Sequence, residues 1–127
     1  MRNILLVGTG GFLGSVSRYL LGMWITRGSG AARFPYGTMV VNITGCLVIG
    51  VLAGLADHRD AFTPATRLLL FTGFLGGYTT FSAFALETYF LGREQLWSAA
   101  VLNVVLQVLI GLAAVALGHR AAVLVAG

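Results

Sequence analysis

The chain has 127 residues, of which 57% are hydrophobic and only 9% are charged. A soluble domain carries about 25% charged residues, so this composition excludes one and predicts an integral membrane protein with room for about four spans of roughly 20 residues. The net charge is +4, but all eight cations are arginines scattered singly along the chain. Phosphate-binding faces need clustered cations, so no nucleic-acid partner is expected.

Four apolar segments follow one another along the chain, and each is predicted to cross the membrane as an α-helix. They cover about residues 4–25, 38–56, 65–91 and 96–118 of a single domain, 1–127. Pro64 stands just before the third span, where the first turn of a helix accepts proline. The last connector is short, so spans three and four are predicted to be antiparallel neighbours.

Span one combines closely spaced glycines with a charge. Gly10 and Gly14 are four residues apart, a spacing that lets helix backbones approach each other in lipid, and Gly50 and Gly54 repeat it in span two. Arg18 lies inside span one, near its end. It either anchors the helix at the membrane surface by snorkelling or is a cation at the mouth of a pore, where it concentrates anions.

Spans two and four each carry two polar residues four positions apart, which places each pair on one helical face. In span two these are Thr38 and Asn42, and the Asn42 amide can either donate two hydrogen bonds to an anion or clamp neighbouring helices. In span four they are Asn103 and Gln107. Their stripe suits either a wetted path or hydrogen bonding between helices.

Span three contains a run that is unusual for a membrane helix, Gly-Gly-Tyr-Thr-Thr-Phe-Ser-Ala-Phe at residues 76–84. Two glycines weaken the helix and three hydroxyls can supply substitute hydrogen bonds. Unwound backbone survives in lipid only where it lines a cavity or packs within protein. Transporters place ion sites at such interruptions. We therefore predict a third helix that is broken in the middle of the membrane.

The residues after this predicted break share one helical face. Phe81 and Phe84 are three positions apart, and Glu87 follows three positions later. Phenyl edges carry a positive electrostatic potential and can line the path of an anion, although two phenylalanines are also ordinary core residues. Glu87 is interpreted as either a proton-carrying group or a hydrogen-bonded gate element, and an ionised carboxylate there disfavours simple anion binding.

Arginines near the ends of the spans give almost no preferred orientation. Each side of a four-span protein would carry four of them, or four against three without the one inside span one: Arg2, Arg59, Arg67 and Arg120 against Arg27, Arg33, Arg93 and Arg18. Because positive charges normally set orientation, an unbiased chain can insert both ways and pair as an antiparallel dimer. A fixed orientation set by weak cues stays open.

An enzyme is not expected, because no set of nucleophile, base and acid can be assembled from these residues. The glycine-rich run at residues 8–14 departs from the strict dinucleotide-binding pattern, since Leu13 takes the place of its last glycine.

The sequence resembles the CrcB (Fluc) family of fluoride channels over essentially its whole length. Three patterns carry the resemblance: Gly10-Gly11-x-x-Gly14 with Arg18-Tyr19, Gly37-Thr38-x-x-x-Asn42-x-x-Gly45, and Gly73-x-x-Gly76-Gly77-x-Thr79-Thr80-Phe81-Ser82-x-Phe84. The third is highly specific. One departure is Ala83, which replaces a hydroxyl often found between the two phenylalanines.

The resemblance implies an antiparallel, dual-topology homodimer in the cell (inner or plasma) membrane. Its two pores would export cytoplasmic fluoride passively and relieve fluoride toxicity. It also implies a structural Na⁺ at the dimer centre, held by the backbone carbonyls of Gly76 and Thr79. The implied pore and vestibule residues are Asn42, Phe81 and Phe84, with Thr38, Thr80, Ser82 and Glu87 near the ion path and Arg18 in the vestibule; Asn103 and Gln107 match a looser pattern.

Two other functions stay open. One is a small dual-topology exporter coupled to protons, with Glu87 as the carrier. Such transporters would place an essential carboxylate in span one, and span one has none. The other is a membrane scaffold that transports nothing.

Overall fold

The computed structural model describes residues 1–30, 33–59 and 61–126. Within these residues four helical segments are long and apolar enough to cross a bilayer: Arg2–Gly28, Tyr36–Asp57, Pro64–Arg93 and Trp97–Ala126. The described residues contain no strand. The predicted all-helical fold with four spans is therefore confirmed, and the protein is a multi-pass membrane protein.

The helices continue beyond the spans predicted from hydrophobicity. In chain order they are α1 (Arg2–Gly28), α2 (Tyr36–Arg59), α3 (Pro64–Arg67), a π-helical segment (Leu68–Leu75), α4 (Gly76–Tyr78), α5 (Phe81–Arg93) and α6 (Trp97–Ala126). The extension has a simple cause. Hydrophobicity marks the part of a helix that lipid surrounds, whereas backbone hydrogen bonds carry the helix on into the membrane surface.

The third span begins as its sequence indicates. Thr63 has extended backbone angles and its Oγ1 accepts a hydrogen bond from the Thr66 amide at 3.2 Å, while Pro64 occupies the first turn. A capping hydroxyl followed by proline is a favoured helix start. The next eight residues form wider π-helical turns, which are rare and often lie at functional sites.

Two residues of extended backbone separate α4 from α5. Thr79 has φ −83° and ψ 157°, and Thr80 has φ −148° and ψ 114°. Thr80 also caps α5, because its Oγ1 accepts a hydrogen bond from the Ala83 amide at 3.2 Å. We refer to Thr79 and Thr80 as the interruption. Its depth in a bilayer stays a prediction.

The glycines before the interruption do not unwind the helix, contrary to the expectation that they would weaken it. Gly76 and Gly77 lie in α4. Gly77 instead lets α1 approach, since a Cβ added there would lie 2.9 Å from the Gly11 Cα. Glycine is therefore required at this position for close packing of two helices. The extended backbone of the interruption is instead stabilised by hydrogen bonds from a neighbouring helix.

Two pairs of helices form the bundle. α1 packs against the π-helical segment and α4, while α2 packs against α6. Glycine makes both contacts close: a Cβ on Gly14 would lie 2.8 Å from the Tyr78 amide nitrogen, and one on Gly50 would lie 2.9 Å from the Val115 Cα. The close helix approach predicted from the spacing of small residues is confirmed, and both partners belong to the same chain.

The connection from α5 to α6 is a tight turn. Gln95 has a φ of +61°, the Gln95 amide donates to the Gly92 carbonyl at 3.0 Å and the Leu96 amide donates to the Leu91 carbonyl at 2.9 Å. This bond pattern is a Schellman motif with Gln95 in the left-handed position. It returns α6 along α5, with which it is in contact.

Candidate functional site

Asn42 of α2 binds the backbone of the interruption. Its Oδ1 accepts a hydrogen bond from the Thr80 amide at 2.9 Å, and its Nδ2 donates to the Thr80 carbonyl at 3.1 Å. An amide side chain thus replaces helical partners that extended backbone cannot provide. These bonds are the clamp on a neighbouring segment that the sequence allowed for Asn42, and hydrogen bonding to an anion stays a prediction.

A line of side-chain hydrogen bonds continues from Asn42 into α6 and α5. Asn42 Nδ2 also donates to Gln107 Oε1 at 2.8 Å, Gln107 Nε2 donates to Asn103 Oδ1 at 2.9 Å, and Asn103 Nδ2 donates to Thr88 Oγ1 at 2.8 Å. Asn103 is completely buried. We call Asn42, Gln107, Asn103 and Thr88 the amide network.

The amide network shows one of the two roles that the sequence left open for span four; the role in a wetted path stays a prediction. In the structure Asn103 and Gln107 bond between helices, and Gln107 also lines a cavity described below. Thr88 is the member that sequence reasoning missed. The sequence contained one indication of this role, because Thr88 follows Phe84 by four positions and therefore lies on the same face of the helix. The Thr88 hydroxyl donates to the Phe84 carbonyl at 2.7 Å.

A second polar contact lies one helical turn away on α2. Thr38 Oγ1 donates to Glu87 Oε1 at 2.7 Å. The other carboxyl oxygen of Glu87, Oε2, is buried and has no hydrogen-bond partner among the described residues. Glu87 is therefore held by one hydroxyl and has room for one further donor.

A cavity of about 400 Å³ opens beside this contact. Arg18 is half-buried and borders it, as does Thr38. The polar and charged side chains around the cavity are those of Arg18, Tyr19, Thr26, Arg27, Thr38 and Thr80. We call this space the arginine cavity. Arg18 thus faces a space in which it can attract an anion, and Arg27 is a second cation there that sequence reasoning did not single out.

A second cavity of about 430 Å³ lies on the other side of the interruption. We call it the phenylalanine cavity, because Phe81 and Phe84 border it. Predicted site residues on its wall are Asn42, Gly76, Thr79, Thr80, Phe81, Phe84 and Gln107. Thr80 borders both cavities. Ser82 and Glu87 are not among the residues that line either of them.

The two phenylalanines lie side by side on α5. Their ring centroids are 5.6 Å apart at an interplanar angle of 52°, so ring edges as well as faces are presented. Phe81 is 79% exposed and Phe84 is half-buried. Ser82 is exposed as well, with its Oγ 3.2 Å from Thr80 Oγ1. Phe81 therefore contributes little to the packing of the protomer.

At the interruption, two backbone amides bond side chains instead of the carbonyls that they would bond in a continuous helix. The Thr80 amide donates to Asn42 instead of the Gly76 carbonyl, and the Ala83 amide donates to Thr80 Oγ1 instead of the Thr79 carbonyl. Carbonyl oxygens at such interruptions suit a monovalent cation such as Na⁺. Among the described residues there is no cluster of three or more His, Cys, Asp or Glu that would favour another metal.

Comparison with known proteins gives a consistent set of relatives. Residues 5–119 match the family described as CrcB-like protein, Camphor Resistance (CrcB). A protein named fluoride-specific ion channel FluC from Methylobacillus flagellatus is 48% identical over 120 residues, 94% of each chain. The FluC protein of Solibacter usitatus is 51% identical over 114 residues, 90% of this chain and 93% of its own. That of Rhizobium meliloti is 55% identical over 87 residues, 68% and 69% of the two chains.

Proposed function

The chain belongs to the CrcB family, and we propose that it is a fluoride-selective channel, not an enzyme, that lets cytoplasmic fluoride leave the cell passively and so relieves fluoride toxicity. Its place would be the inner or plasma membrane. The observation that carries the proposal is the position of Thr80 between the arginine cavity and the phenylalanine cavity. Together these spaces supply the parts of an anion path.

The chemistry of the two cavities suits a small anion. Fluoride is tightly hydrated, so a pore must replace its water with hydrogen-bond donors. Arg18 would concentrate anions at the mouth, and the Thr80 hydroxyl borders both cavities. The Thr38 hydroxyl and the Asn42 amide would become donors to the anion by exchanging their present acceptors, Glu87 for Thr38 and the Thr80 carbonyl or Gln107 for Asn42. The edges of Phe81 and Phe84 would add weak positive potential without the tight binding of a full charge.

The proposed assembly is an antiparallel, dual-topology homodimer with two pores. A single protomer leaves Phe81 on its surface, where a second copy or lipid must cover it. The balanced arginines of the two membrane sides support insertion in both orientations. A partner protomer would then complete the wall of each phenylalanine cavity.

A structural Na⁺ is part of the same proposal. The carbonyls of Gly76 and Thr79 are the groups that would hold it, because their usual amide partners are directed to side chains. The bound cation would neutralise these carbonyl dipoles and tie the two protomers together at their interruptions.

The pore assignment is tested by Phe81→Ile in purified protein reconstituted into liposomes. Fluoride efflux should be abolished while the dimer stays assembled, because the ring of Phe81 borders the proposed path and contributes little to protomer packing. Phe12→Ile is the matched control, since Phe12 is 68% exposed on α1 and borders neither cavity. Unchanged efflux in the Phe81 variant would reject the pore assignment. Absence of any ion flux in the unsubstituted protein would favour the scaffold.

One observation favours a second candidate, the exporter coupled to protons. Glu87 has a buried carboxyl oxygen without a hydrogen-bond partner among the described residues, which is an arrangement suited to a proton carrier. Fluoride efflux with equal pH on both sides of the membrane distinguishes the two functions. A passive channel conducts under that condition, whereas a coupled exporter requires the proton gradient.

A further inference from the structure

Both amide protons of Asn42 are engaged in the structure. One hydrogen bond runs to the Thr80 carbonyl at 3.1 Å and the other to Gln107 Oε1 at 2.8 Å. An amide group has two protons to donate, so an anion can bind Asn42 only by replacing one of these acceptors. The Thr80 contact is reinforced by a return bond from the Thr80 amide, whereas the Gln107 contact is a single bond. Gln107 is therefore the acceptor that an anion would displace.

The direction of the amide network is held at both of its ends. At the near end the Thr80 amide can only donate, so it occupies Asn42 Oδ1 and leaves Asn42 Nδ2 to face Gln107. The far end supports the same direction. The Phe84 carbonyl can only accept, so the Thr88 hydroxyl proton is committed to it and the Thr88 oxygen is left to accept from Asn103. Asn103 must then turn its own carbonyl to the Gln107 amide. Gln107 in turn presents its carbonyl, not its amide, to Asn42.

We propose that Thr88 and Asn103 are positioning residues that hold the Gln107 carbonyl on the Asn42 donor, and that Gln107 thereby sets a threshold for anion selectivity. The inference rests on the proposed channel function. Only an anion that accepts a hydrogen bond more strongly than an amide oxygen displaces Gln107. Fluoride accepts a hydrogen bond more strongly than chloride, because its charge is confined to a smaller ion, and it therefore displaces Gln107 from Asn42 more readily.

Gln107→Met tests the threshold, because methionine keeps the length of the side chain and loses the competing carbonyl. The fluoride concentration that gives half-maximal flux should fall about threefold to tenfold, which corresponds to one neutral hydrogen bond. The ratio of fluoride to chloride flux should fall as well. If both quantities stay at the values of the unsubstituted channel, the hypothesis that Gln107 sets the anion selectivity is wrong.

Thr88→Val and Thr88→Ser test the positioning. Valine keeps the shape of threonine without its hydroxyl, so Asn103 loses the acceptor that holds it against Gln107. Gln107 is then held less firmly on Asn42, and the half-saturating concentration should shift in the same direction as in Gln107→Met, by a smaller factor. Serine keeps the hydroxyl and should restore the original values. If Thr88 has a purely structural role, Thr88→Val should lower the flux of both ions and leave the half-saturating concentration unchanged. Thr9→Val is the matched control, because Thr9 lies on the exposed face of α1 and its substitution should leave the half-saturating concentration unchanged.

A measurement independent of conduction separates this inference from the channel proposal. The side-chain amide resonances of Gln107 in detergent-solubilised protein should move in Thr88→Val and return in Thr88→Ser. If the unsubstituted protein conducts no fluoride, the channel proposal fails while these resonances still test the positioning. Gln107 resonances that stay in place in Thr88→Val overturn the positioning role whether or not the protein conducts.

Discussion

Asn42 is the residue on which the site depends, because one amide group serves two other parts of the structure. It holds the backbone of Thr80 through both of its polar atoms and reaches Gln107 of α6. Inside a membrane, a peptide group without partners costs several kcal/mol, so the interruption requires such a side chain. In the proposed channel, an anion that binds Asn42 would have to compete with these bonds within the chain.

Gln95 gives a prediction about stability at the scale of one residue. Its φ of +61° is a conformation that glycine adopts freely and that costs other residues roughly 1–2 kcal/mol. We therefore expect Gln95→Gly to be about 1 kcal/mol more stable than Gln95→Ala. Both variants lose the bond from Trp97 Nε1 to Gln95 Oε1, so their difference isolates the backbone. Equal free energies of unfolding in detergent titrations would contradict the assignment of strain.

The third span owes its shape to its neighbours more than to its own residues. Its π-helical segment and α4 pack on α1, while the extended residues that follow are bonded by Asn42 of α2. Since α5 restarts with Thr80 as its cap, the interruption is a joint with hydrogen bonds on both sides. Such a joint places Phe81 at the start of a helix, where it faces the phenylalanine cavity.

Paired substitutions in α1 test the contact between α1 and the third span. Gly14→Ala should lower the free energy of unfolding by about 1–3 kcal/mol, because its Cβ would meet the Phe74 carbonyl and the Tyr78 amide, which are backbone atoms that cannot turn aside. Gly8→Ala makes the same change on the same helix where no described atom lies within 4 Å. It should cause no loss. Equal effects of the two substitutions would show that α1 does not pack this closely.

At the scale of the whole molecule, a single chain leaves part of the wall of the phenylalanine cavity uncovered, because Phe81 on that wall is 79% exposed. The helix faces that carry close-packed glycines are already used within the chain. In the proposed dimer a second copy would therefore meet this chain through other surfaces, and the surface around Phe81 borders the proposed ion path. The balanced arginines permit that copy to be inverted.

The proposed inverted dimer predicts a specific response to added charge. Asn3→Arg with Ala61→Arg loads one membrane side, and Ser29→Arg with Ser98→Arg loads the other; all four positions are exposed. Either double variant alone should adopt a single orientation and give little fluoride flux, because it lacks an inverted partner. Co-expression of the two should restore the flux. Full flux from either variant alone would exclude the inverted dimer.

Composition and residue spacing were sufficient for the broad design of this protein. A chain with so few charges can only fold in lipid, and apolar runs of span length there must be helices, because lipid offers the backbone no other partners. Spacing also put Thr38 with Asn42 and Phe81 with Phe84, since a helix repeats its faces every three or four residues. Close packing at Gly10 and Gly14 followed from the same periodicity.

Partners between helices were decided only by the tertiary structure. The run at residues 76–84 located an irregular segment, but it did not say which of its residues leave the helix: Thr79 and Thr80 are extended, while Gly76 and Gly77 stay helical. The reason is that Asn42, 38 residues away in sequence, bonds Thr80. Periodicity places a side chain on a face of its own helix; it does not say which helix lies opposite. For that reason the amide network, and Thr88 within it, emerged only from the packed bundle.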